Sequence, residues 1–164
     1  MPEHTFIMKS LKDIETLALC VADYCKHGFI ILLEGEMGTG KTTFVSFLGK
    51  AFKCDQHVSS PTFSLIQVYD GEQPSSNDAI SITHVDLYRL NSVNDCEMLE
   101  IPALFEQEKG VLCMEWPEKC GSLLPKNYLK FLFSYHKVDQ RKVKFQFRGS
   151  EYEPLIDALT TQFK

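Results

Sequence analysis

The stretch LLEGEMGTGKTTF, residues 32–44, decides how the rest of the chain is read. An apolar run stops at Gly35, and Gly35, Gly38 and Gly40 crowd together before Lys41, Thr42 and Thr43 lead back into apolar residues. Gly35 through Thr42 fit G-x-x-x-x-G-K-[ST]. The flanks are those the motif requires: the β-rich run FIILLE (29–34) before it, and helical spacing of Phe44, Phe47, Leu48, Ala51 and Phe52 after it. Glycine takes positive φ freely, so successive main-chain N–H groups can turn into one concavity. The helix that starts near Lys41 adds the positive end of its dipole. Backbone donors then surround a triphosphate, Lys41 reaches the β- and γ-phosphates, and the Thr42 hydroxyl can hold Mg²⁺. A plain glycine-rich turn is the alternative, and so long a match between correct flanks weighs against it.

A phosphate loop needs carboxylates, because Mg²⁺ is a hard cation that takes one or two of them together with water. They belong at the C-terminal ends of neighbouring strands. Glu115 ends the apolar run VLCM, and Asp86 lies inside the apolar strand pattern HVDLYRL. A carboxylate among buried apolar residues is costly without a partner, which favours a metal-linked role for both. Spacing does not say which acid ligands the metal and which orients the attacking water. Ser60-Pro61-Thr62 reads equally as a switch-like loop whose hydroxyls sense the γ-phosphate and as ordinary strand-start chemistry. Arg89 reads first as an ion-pair residue and second as an arginine finger. Trp116, the only tryptophan, lines the site, faces a partner or packs in the core.

Around these motifs the pattern predicts helices over 11–26, 41–52 and 94–109 and a short closing helix over 151–163. Ser10 and Asp13 stand at capping-box spacing for the first. Strands are expected at 29–34, 62–69, 79–88, 110–116, 128–135 and 141–148, with 62–69 and 79–88 antiparallel and 70–79 a polar loop. The fold class is α/β, a single P-loop NTPase domain over 1–164. A mostly parallel central sheet is flanked by helices, with antiparallel additions.

The bulk composition agrees. The chain has 164 residues and a net charge of −5, which disfavours a nucleic-acid coat protein. No apolar run approaches the ~20 residues of a membrane span, and no secretory signal is visible. Six scattered cysteines without a CxxC pair read as reduced thiols in a cytoplasmic protein. Cys54 and His57 have a ligand-like gap but no second pair. Residues 126–148 carry seven basic residues against Asp139; a solvated edge protected by lysines is favoured over a face that meets phosphate groups or an acidic partner. A guanine-reading NKxD motif, the arginine-rich lid of small-molecule kinases and the second motif set of a helicase are all missing from the sequence.

The ordered set GEMGTGKTT, SPTFSLIQVY, HVDLYRL, EWPE and Leu124-Pro125 resembles the TsaE (YjeE) family over roughly residues 10–148. The resemblance implies a small bacterial P-loop ATPase of tRNA threonylcarbamoyladenosine (t6A) synthesis. It would act with TsaD and TsaB, which modify adenosine 37 of tRNA. It also implies ATP and Mg²⁺ as ligands and a cradle over Glu36, Met37, Gly38, Thr39, Gly40, Lys41, Thr42 and Thr43. Asp86 and Glu115 are then the motif acids, Thr62 the SPTF threonine, Thr16 a residue near the adenine, and Arg141 a late-strand contact. The family usually has a glycine where this chain has Glu100, and the 70–79 loop is longer than is typical. The alternatives are a small-molecule or nucleoside kinase and a non-hydrolysing nucleotide-dependent scaffold.

Overall fold

The computed structural model describes residues 3–61 and 64–164 and joins every strand into one sheet. In chain order the elements are β1 (His4–Met8), α1 (Leu11–Tyr24), β2 (Ile30–Gly35), α2 (Lys41–Ala51), β3 (Ile66–Glu72) and β4 (Ala79–Asp86). They continue with α3 (Val93–Met98), β5 (Val111–Glu115), β6 (Tyr128–Tyr135), β7 (Arg141–Arg148) and α4 (Glu153–Gln162). The sheet order is β1-β7-β6-β2-β5-β4-β3. The central strands β6, β2, β5 and β4 run parallel; β7 and β1 add antiparallel on one side and β3 on the other.

Strand β2 shows why the apolar runs lack alternation. Ile31 and Leu33 face one core with Leu17 and Val21 of α1, Phe44 and Leu48 of α2, and Leu155 and Leu159 of α4. Ile30 and Leu32 face a second core with Met114, Val85, Cys96, Ile101 and Cys120. A strand covered on both sides has no polar face to show. Phe44 is fully buried, its ring 5.4 Å from that of Phe131 and 6.2 Å from that of Phe133, so it pins the first turn of α2 to β6. Truncating such a ring to alanine costs about 3–5 kcal/mol. Burial also pushes the Cys25 and Cys113 thiols well up, so they pack as neutral groups.

Several boundaries differ from the sequence reading. β1 was not foreseen: five residues next to the terminus give too short an alternation to read, and antiparallel pairing with β7 makes them a strand. β7 is therefore not an edge strand. Two lysines of the basic stretch pair with acids, Lys130 with Glu34 and Lys144 with Glu3, each at 3.3 Å. β3 starts at Ile66 and runs on through Asp70-Gly71-Glu72, because β4 offers backbone partners as far as Ala79. The expected loop at 70–79 is shorter by that much.

The helix expected over 94–109 is only Val93–Met98, followed by a 3₁₀ segment over Ile101–Glu106. Glu100 adopts φ 54°, and Pro102 cannot donate to a continuing helix. α3 is begun by a full Ser92–Asp95 capping box that the sequence reading passed over. The box expected at Ser10 is incomplete: the Ser10 side chain makes no cap bond, and Asp13 Oδ2 accepts from the N–H of Lys9 at 2.6 Å.

Candidate functional site

β2 delivers the chain into the glycine-rich loop at Gly35, whose φ is 140°. A Cβ there would stand 2.2 Å from the Phe133 carbonyl oxygen, so only glycine lets the loop pass β6. Gly40, at φ 114°, turns the chain into α2, and the N–H of Phe44 donates to Gly40 O at 2.9 Å. Within the loop the Thr39 hydroxyl donates to Glu36 O at 2.7 Å. From across the sheet, the Tyr135 hydroxyl donates to Met37 O at 2.8 Å. Lys41 is 4% exposed; its Nζ donates to Gly35 O and, at 2.9 Å, to Glu36 O. The same ammonium lies 4.3 Å from the centre of the Trp116 ring. Burial lowers the Lys41 pKa, against the pull of Glu115, Glu118 and Asp86, which raise it.

The acids come from adjacent strands. Asp86 and Glu115 are register partners on parallel β4 and β5. Glu115 is 3% exposed, and its Oε1 accepts from the Thr42 hydroxyl at 2.7 Å. The same oxygen lies 2.9 Å from His84 Nε2, and the His84 ring is wholly buried. Asp86 Oδ2 accepts from the Ser60 hydroxyl at 2.9 Å, and Oδ1 accepts from the N–H of Tyr88 at 3.0 Å. Trp116 follows Glu115 in the left-handed region, φ 61°, and its ring packs 5.1 Å from that of Tyr88. A bulky residue held there marks strain kept at the rim of the cleft.

These groups surround one cavity of about 410 Å³. Of the sequence-derived candidates it brings together Met37, Gly38, Gly40, Lys41, Thr42, Thr43, Asp86 and Glu115, with Ser60, Arg89 and Trp116 beside them. Glu36 and Thr39 shape the loop from outside the lining. Arg141 stands at the head of β7 with its guanidinium 4.7 Å from the centre of the Tyr135 ring, one residue removed from the Met37 carbonyl. Thr16 is elsewhere. It lines a groove between α1 and α4, and its hydroxyl donates to Lys12 O at 2.9 Å. Thr62 lies outside the described residues.

The cavity is lined by oxygen-bearing side chains and by loop backbone. Its side-chain donors near Thr42 are hydroxyl and carboxylate oxygens, which suit a hard cation. Gly38 and Gly40 of the loop line it with backbone. Burial and the nearby Asp70 and Asp55 push the Cys54 thiol up to about 11, away from the thiolate that a soft metal site needs.

The family model described as "Threonylcarbamoyl adenosine biosynthesis protein TsaE" matches residues 8–143. The chain belongs to the TsaE family. The TsaE protein of Bacillus subtilis is 30% identical over 161 residues, 93% of this chain and 96% of its own length. That of Aquifex aeolicus is 35% identical over 115 residues, 69% of this chain and 76% of its own. The crystal structure of Bacillus subtilis YdiB superposes with a TM-score of 0.76 at 22% identity. It covers 99% of this chain and 97% of that one, a likeness of fold.

For a TsaE chain, two site residues went unassigned in the sequence. His84 alternates with Asp86 in HVDLYRL, which was the available signal: along β4 these positions continue the side of Ile80 and Ile82, which pack in the core shared with α2. Tyr135 gave no signal, because its bond to Met37 joins residues far apart in the chain.

Proposed function

We propose that this TsaE chain binds and hydrolyses ATP with Mg²⁺ in support of tRNA threonylcarbamoylation, acting with TsaD and TsaB in the cytoplasm and reaching tRNA through them. The observation that carries the reading is the convergence of Lys41, the Thr42–Glu115 pair and Asp86 on one glycine-walled cavity. The N–H groups from Glu36 to Thr43 form the phosphate cradle. Lys41, now bonded to two loop carbonyls, exchanges these neutral acceptors for charged phosphate oxygens, which make stronger charge-assisted bonds. Thr42, Glu115 and Asp86 are the groups that would hold Mg²⁺, and a bound Mg²⁺ supplies charge neutralisation at the phosphates. A carboxylate of this pair would also orient the attacking water. Ser60, already bonded to Asp86, ties the preceding loop to that acid.

Turnover by the chain alone is slow, since the partner completes the site. ATPase rate and t6A formation are measured with and without TsaD and TsaB; an increase in both on adding them supports the reading, and no change in either refutes it. Glu115→Ala should lower metal-dependent hydrolysis by about 10²-fold or more while leaving nucleotide binding largely intact. A kinase reading needs a cationic clamp on an acceptor besides Lys41; Arg89 is the one further cation among the described lining residues, and ATP consumption with candidate acceptors and no protein partner would favour that reading.

A further inference from the structure

His84 is a fully buried imidazole that the phosphate chemistry leaves unexplained. Nδ1 is its costly feature: among the described residues it is the one buried side-chain nitrogen or oxygen without a hydrogen-bond partner. Burying an unsatisfied polar atom is unfavourable, so a residue kept only to fill space would be better as leucine or phenylalanine. What the ring gains is on its other side, where Nε2 sits 2.9 Å from Glu115 Oε1. An ionised carboxylate only accepts, so Nε2 carries the proton in that bond. The second donor to the same oxygen is the Thr42 hydroxyl, at 2.7 Å. On the reading above, Thr42 also faces the metal, so its hydroxyl serves two neighbours. The His84 bond lies wholly inside the protein, between two parallel strands, and has no competing claim.

We propose that His84 is a positioning residue for metal binding: its Nε2–H fixes the Glu115 carboxylate against Thr42, so that the Mg²⁺-holding oxygens are preorganised before nucleotide arrives. The inference rests on the assignment of Thr42 and Glu115 as metal-holding groups. Carboxylates and imidazoles that orient metal ligands in this way act through geometry, and their loss weakens metal affinity far more than it disturbs the rest of the site.

The test measures ATP affinity by calorimetry in EDTA and across a Mg²⁺ titration, with Mn²⁺ as a second metal. For His84→Phe, which keeps a ring but no donor, the half-saturating Mg²⁺ concentration should rise about tenfold or more, while affinity in EDTA stays within about twofold. His84→Gln, whose amide can donate from a similar place, should recover most of the loss. In a Glu115→Gln background the His84→Phe change should add nothing further, since the bond it removes is already altered. Thermal melting checks that each variant is folded, and His84→Asn, too short to reach Glu115, replaces a phenylalanine variant that does not fold. Unchanged Mg²⁺ dependence in His84→Phe, or glutamine and phenylalanine variants that behave alike, would overturn the proposal while leaving the ATPase reading standing. Wild-type affinity indifferent to Mg²⁺ would overturn both.

Discussion

A methyl group added at Gly35 would meet the Phe133 carbonyl oxygen at 2.2 Å, and the backbone φ of 140° is one that residues with a Cβ rarely adopt. Both the contact and the dihedral oppose alanine, and the atom in the way is backbone rather than a flexible side-chain tip. Gly35→Ala should therefore cost at least about 2 kcal/mol and abolish ATP binding with it, read by urea denaturation and calorimetry. A variant of wild-type stability that still binds ATP would contradict the account of the cradle. At this scale the sequence was legible wherever chemistry has few solutions. The glycines of the loop, the lysine and threonine at its end and the acids inside apolar strands stand out for that reason. His84 and Tyr135 were not legible, because their partners Glu115 and Met37 are fixed only when distant strands pair.

Elements were legible in type and less so in their ends. Helix α3 stops early because Glu100 takes φ 54°, the conformation in which glycine is at ease and in which other residues lose roughly 1–2 kcal/mol. The glycine that the TsaE pattern leads one to expect at this place thus has a conformational reason. Glu100→Gly should stabilise the chain by about 0.5–1 kcal/mol, the relief of strain being partly offset by a more flexible unfolded state. A lower urea midpoint in the variant would refute this.

Tyr152, just before α4, fastens that helix to the sheet. Its hydroxyl accepts from the N–H of Ile30 at 3.0 Å and sits 3.4 Å from Ile30 O. Burial pushes its pKa from the usual 10.0 up to about 12. The folded chain thus holds this proton more tightly than the unfolded one. The contribution is complete below pH 10 and is withdrawn as pH rises from about 10 toward 12, by on the order of 2 kcal/mol. Tyr152→Phe should be less stable at pH 8 yet lose less between pH 9.5 and 11.5, as denaturation at these values would show, and an equal alkaline loss in both proteins would refute it.

In the whole molecule the cavity exists because strands far apart in sequence end side by side. On the proposed reading, nucleotide would bind the folded chain and not the unfolded one, so ATP at about a hundred times its dissociation constant should add about 2.7 kcal/mol of stability. For a chain of this length that raises the melting temperature by roughly 5–10 °C. Lys41→Ala should remove the shift. The Trp116 ring, 4.3 Å from Lys41 Nζ, should change its fluorescence as the ammonium leaves it for phosphate. A full melting shift in the alanine variant would show that Lys41 does not hold the nucleotide.

The sequence by itself determined the glycine-rich loop, the strand–loop–helix that carries it, the α/β class and the family, because local spacing and residue chemistry suffice for these. Tertiary structure alone decided that β1 completes the sheet, that Asp86 and Glu115 stand in register, that Thr16 faces a different groove from the cavity, and that His84 meets Glu115. Each of those depends on pairing between segments remote in the chain, and pairing at a distance leaves no period or motif in the residues that take part.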